Sequence, residues 1–132
     1  LGTSGVSLDV LHPPQPFLTH TRSPTNANSV VLAVRYGGAT MLLTGDAEEA
    51  AEASLLSSGV PLRADVLKVG HHGSRYSSGA AFLAAVRPSV AVVSCGADNT
   101  FGHPAPDVLQ RLHMAGATVL RTDRTGAIVV ET

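Results

Sequence analysis

Three glycines in this 132-residue chain are each followed at once by a side chain that metals and phosphates favour: Asp46 in TGD, the pair His71 and His72 in VGHHGS, and His103 in FGHP. Carboxylate oxygens and imidazole nitrogens are the donors of Zn²⁺ and Mn²⁺ centres. A glycine ahead of each lets the chain turn sharply where a strand ends and carry the polar side chain to the sheet edge, where ligands from separate strands converge. Each residue also has a plainer reading. Asp46, with Glu49 three residues on, fits a capping box opening a helix. The histidine pair fits a polar turn capping the next helix, and His103 a loop imidazole fixed by Pro104. One Asp and two or three His fall short of the donor set that a two-metal hydrolase needs.

The elements that must position these residues follow from periodicity and punctuation. Val6 to Leu11 alternates as a strand and ends at HPPQP, whose prolines remove donors. A polar loop follows. Ser29–Tyr36 and Thr40–Thr44 read as a hairpin through Gly37 and Gly38, which tolerate positive φ. Ala47–Ser58, rich in Ala and Glu, reads as a helix with Asp46 as N-cap and Gly59 as its stop. The chain then alternates: strand Asp65–Val69, helix Ser78–Val86, strand Val90–Ser94, and a helix from about Pro106 to Ala115. Two last strands, Thr118–Thr122 and Ala127–Glu131, flank the turn DRTG. This order predicts one α/β domain, layered in α+β fashion, with helices covering one face of a sheet. Leu1–Gly5, without a Met, reads as a linker or boundary segment.

Composition narrows the function classes. The net charge of -1 gives no excess for sequence-independent nucleic-acid binding, and Arg75, Arg121 and Arg124 make a weak local patch. Cys95 is the single cysteine, so no intramolecular disulfide and no cysteine metal cluster is available. The apolar runs are far shorter than the roughly 20 residues of a membrane span, so the chain is expected to be soluble.

NANSVVLAVRYGGATMLLTGD, ADVLKVGHHGSRYSS and FGHPAPDVLQRLHMAGATVLRTDRTGAIVV cover most of Asn26–Val130. In that order they resemble the C-terminal metallo-β-lactamase-like domain of the ComEC family, the DNA-uptake channel of natural competence. The resemblance implies the C-terminal portion of an αββα sandwich. The His-x-His-x-Asp-His signature, which supplies most metal ligands in that fold, is absent here. The complete domain would hold two divalent metals, Mn²⁺ or Zn²⁺. Asp46 would bridge them and His72, directly before Gly73, would ligate the second, with the reverse order of the two histidines left open. His71 would contact a substrate phosphate or the attacking water, and His103 joins it as a catalytic candidate. Asn28, Ser74, Arg121 and Asp123 are the substrate-binding candidates. Asn26 and Asn28 stand where many relatives carry a metal-binding His, which favours Mn²⁺.

The implied activity is that of a nuclease or phosphodiesterase degrading the non-imported strand during transformation. Its partners would be single- or double-stranded DNA and the transmembrane channel portion of a longer protein, on the outer face of the cytoplasmic membrane. Alone, the chain is expected to bind metal weakly, to be inactive and to self-associate through apolar edge strands. Two other classes fit the same residues. One is an esterase of phosphorylcholine type, which an aromatic choline cage would support and the lack of Trp does not. The other is a non-catalytic module that binds DNA or docks to a membrane channel.

Overall fold

The computed structural model describes residues 5–131, so of the boundary segment expected at Leu1–Gly5 only Gly5 lies among the described residues. Strands β1 (Val6–His12), β2 (Val31–Tyr36), β3 (Ala39–Leu43), β4 (Val66–Lys68), β5 (Val90–Val93) and β6 (Thr118–Arg121) pair in chain order into one sheet. The β1–β2 and β2–β3 pairs are antiparallel, with the β2–β3 hairpin turning through Gly37 and Gly38. From β3 to β6 the pairing is parallel.

Parallel neighbours need crossovers, here carried by helices α2 (Glu49–Ser58), α3 (Ala80–Val86) and α4 (Pro106–Met114). Two short helical turns complete the set, α1 (Pro24–Ala27) and α5 (Thr122–Thr125). Crossovers of one hand between strands in sequential order put all three helices on the same side of the sheet. The row Ala33, Leu42, Leu67, Ala91 and Val119 faces them. Leu55, Phe82, Leu83, Val86, Val108 and Leu112 close over it, each at most 2% exposed.

None of α2, α3 and α4 lies on the opposite face. It presents two ladders, Val10–Leu32–Leu43–Lys68–Val92–Leu120 and Leu8–Val34–Met41–Val66–Val90–Thr118, in which Lys68 is the single charge. Leu8 and Val10 are 45% and 68% exposed, and the rest of the apolar members are half-buried.

Two expectations are corrected. The strand foreseen at Ala127–Glu131 does not form. After α5 the chain crosses the open face, and Ile128 and Val130 line shallow cavities with Met41, Val66 and Val92. A segment that crosses strands cannot share their ladder of hydrogen bonds. The capping box at Asp46 is also absent. The Ala47 amide donates to the Thr44 carbonyl at 3.0 Å, so the chain is still turning there, and α2 begins only at Glu49 with no side-chain cap. The Asp46 carboxylate is left to other work.

Candidate metal centre

In an open parallel sheet, ligands gather outside the carboxyl ends of the strands. Thr44–Asp46 leaves β3, Val69–Gly73 leaves β4 and Ser94–Cys95 leaves β5 on that rim. Two bonds lock the first two loops together, Thr44 Oγ1 to the Lys68 carbonyl at 2.6 Å and the His71 amide to the Gly45 carbonyl at 3.1 Å, and Ser77 Oγ closes the second on itself through the Gly70 carbonyl at 2.8 Å.

In the tight turn Gly70–Gly73 the unusual backbone is shared between glycine, Gly73 having φ of 83°, and the two histidines. His71 and His72 themselves take left-handed conformations, with φ of 44° and 55°. That region costs about 1–2 kcal/mol per non-glycine residue and persists only where surroundings enforce it. The flanking glycines serve close approach as well. A Cβ on Gly70 would lie 2.6 Å from the Ala47 carbonyl oxygen, and one on Gly73 2.6 Å from Pro104 Cβ. Gly73 thereby seats the His103–Pro104 loop on the histidine turn, and its carbonyl accepts the Ala105 amide at 2.8 Å.

The two consecutive left-handed residues send their rings to different partners. His72 Nδ1 lies 2.6 Å from the Ser94 carbonyl oxygen. A carbonyl only accepts, so Nδ1 carries a proton, and in the neutral ring the lone pair is on Nε2. That Nε2 stands 3.8 Å from Asp46 Oδ1, with both side chains about half exposed. His71 Nδ1 lies 2.8 Å from Glu48 Oε1 and 3.3 Å from Asn26 Nδ2. The His71 ring centroid is 6.2 Å from that of His72 and 5.7 Å from that of His103. Burial first, then the two neighbouring imidazoles, hold His103 below the ordinary histidine range, so it is neutral at pH 7. Its Nδ1 is buried without a hydrogen-bond partner.

The other predicted residues are placed differently. The Asn28 amide clamps the preceding loop, bonding the Leu18 amide and the Leu18 and Pro24 carbonyls. Ser74 is buried and its hydroxyl turns inward to Glu48 at 3.2 Å. Arg121 and Asp123 bind each other through Nε–Oδ1 at 3.0 Å and Nη2–Oδ2 at 2.6 Å. The pairing holds the Asp123 carboxyl below its ordinary range.

Sequence reasoning passed over four residues. Glu48 is 5% exposed and gathers Arg22, His71 and Ser74. Arg22 in turn lies over the Tyr76 ring, 3.5 Å from its centroid. Glu52 accepts the Ser78 and Gly79 amides, and Arg111 donates to the carbonyls of Arg75, Ser77 and Ser78. Together Glu52 and Arg111 brace the loop that leaves the histidine turn. Only the acid-rich run GDAEEAAE hinted at any of this, and it reads equally well as a solvated helix face.

These donors fit one edge of a divalent-metal centre. An exposed carboxylate and an imidazole with its second nitrogen fixed by a carbonyl are the pairing such ions use. Among the described residues, no group of three or more His, Cys, Asp or Glu side chains is placed to hold a metal ion, so further donors are needed to complete a site.

A profile of the Metallo-beta-lactamase superfamily matches residues 5–97. ComE operon protein 3 of Bacillus subtilis (strain 168) is 43% identical over 103 residues, 78% of this chain and 13% of that protein. Competence protein ComA of Neisseria gonorrhoeae is 41% identical over 125 residues, 94% of this chain and 18% of that protein. Recombination protein 2 of Haemophilus influenzae is 39% identical over 105 residues, 80% and 13%. The chain therefore spans less than a fifth of the length of these relatives. With the profile running through both loops that carry Asp46, His71 and His72, the chain belongs to the metallo-β-lactamase superfamily, among the relatives of the ComEC competence proteins.

Proposed function

We propose that this chain is part of a metal-dependent phosphodiesterase that cuts DNA during uptake, in a longer protein held at the outer face of the cytoplasmic membrane by its channel portion. The carrying observation is the pair Asp46 and His72, 3.8 Å apart and open to solvent, with the imidazole turned so that its lone pair faces the carboxylate. Asp46 and His72 would hold divalent metal, Mn²⁺ or Zn²⁺, which when bound neutralises phosphate oxygens and makes hydroxide available near pH 7.

The chain's own residues do the rest. Glu48 fixes the His71 ring by accepting from Nδ1, so Nε2 can take a proton from water or pass one to a leaving oxygen. Neutral His103, beside it, keeps that cluster from accumulating charge. Arg121, with its charge already met by Asp123, is suited to positioning a phosphate more than to neutralising it. Asn28 and Ser74 serve the shape of the cleft through the loops they clamp. The open apolar face favours pairing with a second sheet, and in the isolated chain with a second copy.

In the complete protein, Asp46→Ala and His72→Ala should each reduce Mn²⁺-dependent cleavage of single-stranded DNA on the order of 100-fold or more, since loss even of an outer-shell partner costs 10- to 100-fold. Cleavage that survives Asp46→Ala unchanged would refute the assignment.

A further inference from the structure

Phe101 is 80% exposed, on a loop whose rigidity gives no reason for a phenyl ring to stand in water. The Asn99 amide closes that loop, donating to the carbonyls of Gly96 and His103 at 2.8 and 2.7 Å and accepting the His103 amide at 2.9 Å. Pro104 then seats it against Gly73. The Phe101 ring stacks on that of His103, centroids 6.0 Å apart and planes 21° from parallel. One aromatic face is thus backed by an imidazole and the other is open. Beside it lies a cavity of about 200 Å³ lined by Phe101, Asn99, Gly96, Cys95, His103 and His72.

We propose that Phe101 is a stacking platform for one nucleobase of a single DNA strand whose phosphodiester lies at Asp46 and His72. The inference rests on the phosphodiesterase reading and extends it to the substrate. A nucleobase is a flat ring system that gains from an aromatic face of any partner. His72 both lines the cavity and faces Asp46, so a base held here is in reach of the phosphate next to it. A base inside a duplex is already stacked on its neighbours, so the platform selects an unpaired strand. The cavity offers little for sequence reading. Both amide hydrogens of Asn99 and the Nδ1 proton of His72 are committed to backbone carbonyls, leaving the one imidazole N–H of His103 for a base edge. Stacking accepts the face of every base, so recognition should tolerate any of them.

The test compares binding of a labelled oligodeoxythymidylate and of an abasic strand of equal length, read by fluorescence anisotropy. Phe101→Ala should weaken oligodeoxythymidylate binding by about 5- to 150-fold, the range expected for one stacked base, and leave the abasic strand unchanged. The chain has no Trp, so Phe101→Trp places a single indole at the site. Its emission should be quenched by the thymidylate, adenylate and cytidylate oligomers and not by the abasic strand. Equal binding of both strands, insensitive to Phe101→Ala, overturns the platform while the phosphodiesterase reading stands. Failure to bind either strand overturns that reading, and the platform with it.

Discussion

The two faces of the sheet are built from similar residues and reach opposite outcomes. On one, Leu42, Leu67, Ala91 and Val93 are at most 1% exposed beneath three helices. On the other, Val34, Met41, Leu43, Val66 and Val92 stand half-covered, crossed among the described residues by the segment around Ile128 and Val130. The difference teaches that side-chain type does not decide burial here. Connection handedness does, since every crossover falls on one side. The candidate site lies on the rim between the faces. The helix side supplies its braces, Glu48, Glu52 and Arg111, and the open side supplies Lys68. Burial holds that amine below its ordinary range, and the charge of Asp46 opposes the shift.

The largest test of this contrast is a matched pair of truncations. Leu67→Ala should lower unfolding free energy by about 2–5 kcal/mol, whereas Leu43→Ala, its half-exposed counterpart, should cost about 1 kcal/mol. Equal losses by urea denaturation would mean the open face is already as tightly packed as the other. A smaller effect concerns the helix side alone. Burial pushes the Glu52 carboxyl up to about 7 from 4.5, against its two amide bonds. A raised carboxyl favours the fold fully below the unfolded value and loses that contribution as pH rises through 7. Stability should therefore fall between pH 5 and pH 8 by about 2 kcal/mol more in the wild type than in Glu52→Gln, measured by denaturant titration at both pH values. The smallest effect on stability belongs to the open face. Val34→Lys should change unfolding free energy by under about 1 kcal/mol and yet weaken self-association about tenfold in sedimentation velocity. A variant that associates as the wild type does would exclude that face as the contact.

The hairpin, the strand–helix alternation and the one-sided helical layer were legible because each rests on local punctuation: Gly37–Gly38, Gly59 and the period of the apolar residues. The misread segments were those where two local rules compete. Asp46 and Glu49 satisfy the spacing of a capping box, but the tight turn closed by the Ala47 amide delays α2 and leaves the carboxylate free. Ala127–Glu131 has strand composition because such composition reports fit to a half-buried surface, which the open face provides without pairing. The glycines beside the histidines were legible as necessary, although the left-handed strain falls on His71 and His72 themselves. Glu48 was not legible, since its burial is created by Arg22, His71 and Ser74 arriving from distant segments. Phe101 left one trace, a lone aromatic in the polar loop DNTFGHP.

The central claim, that Asp46 and His72 are two donors to one divalent cation, is tested most directly by titrating Mn²⁺ into the ¹⁵N-labelled chain and following paramagnetic broadening, which registers weak binding. Amides of Gly45–Ala47 and Gly70–Gly73 should broaden first, and Asp46→Ala should remove the effect. Broadening centred elsewhere, or a pattern indifferent to Asp46→Ala, would contradict it.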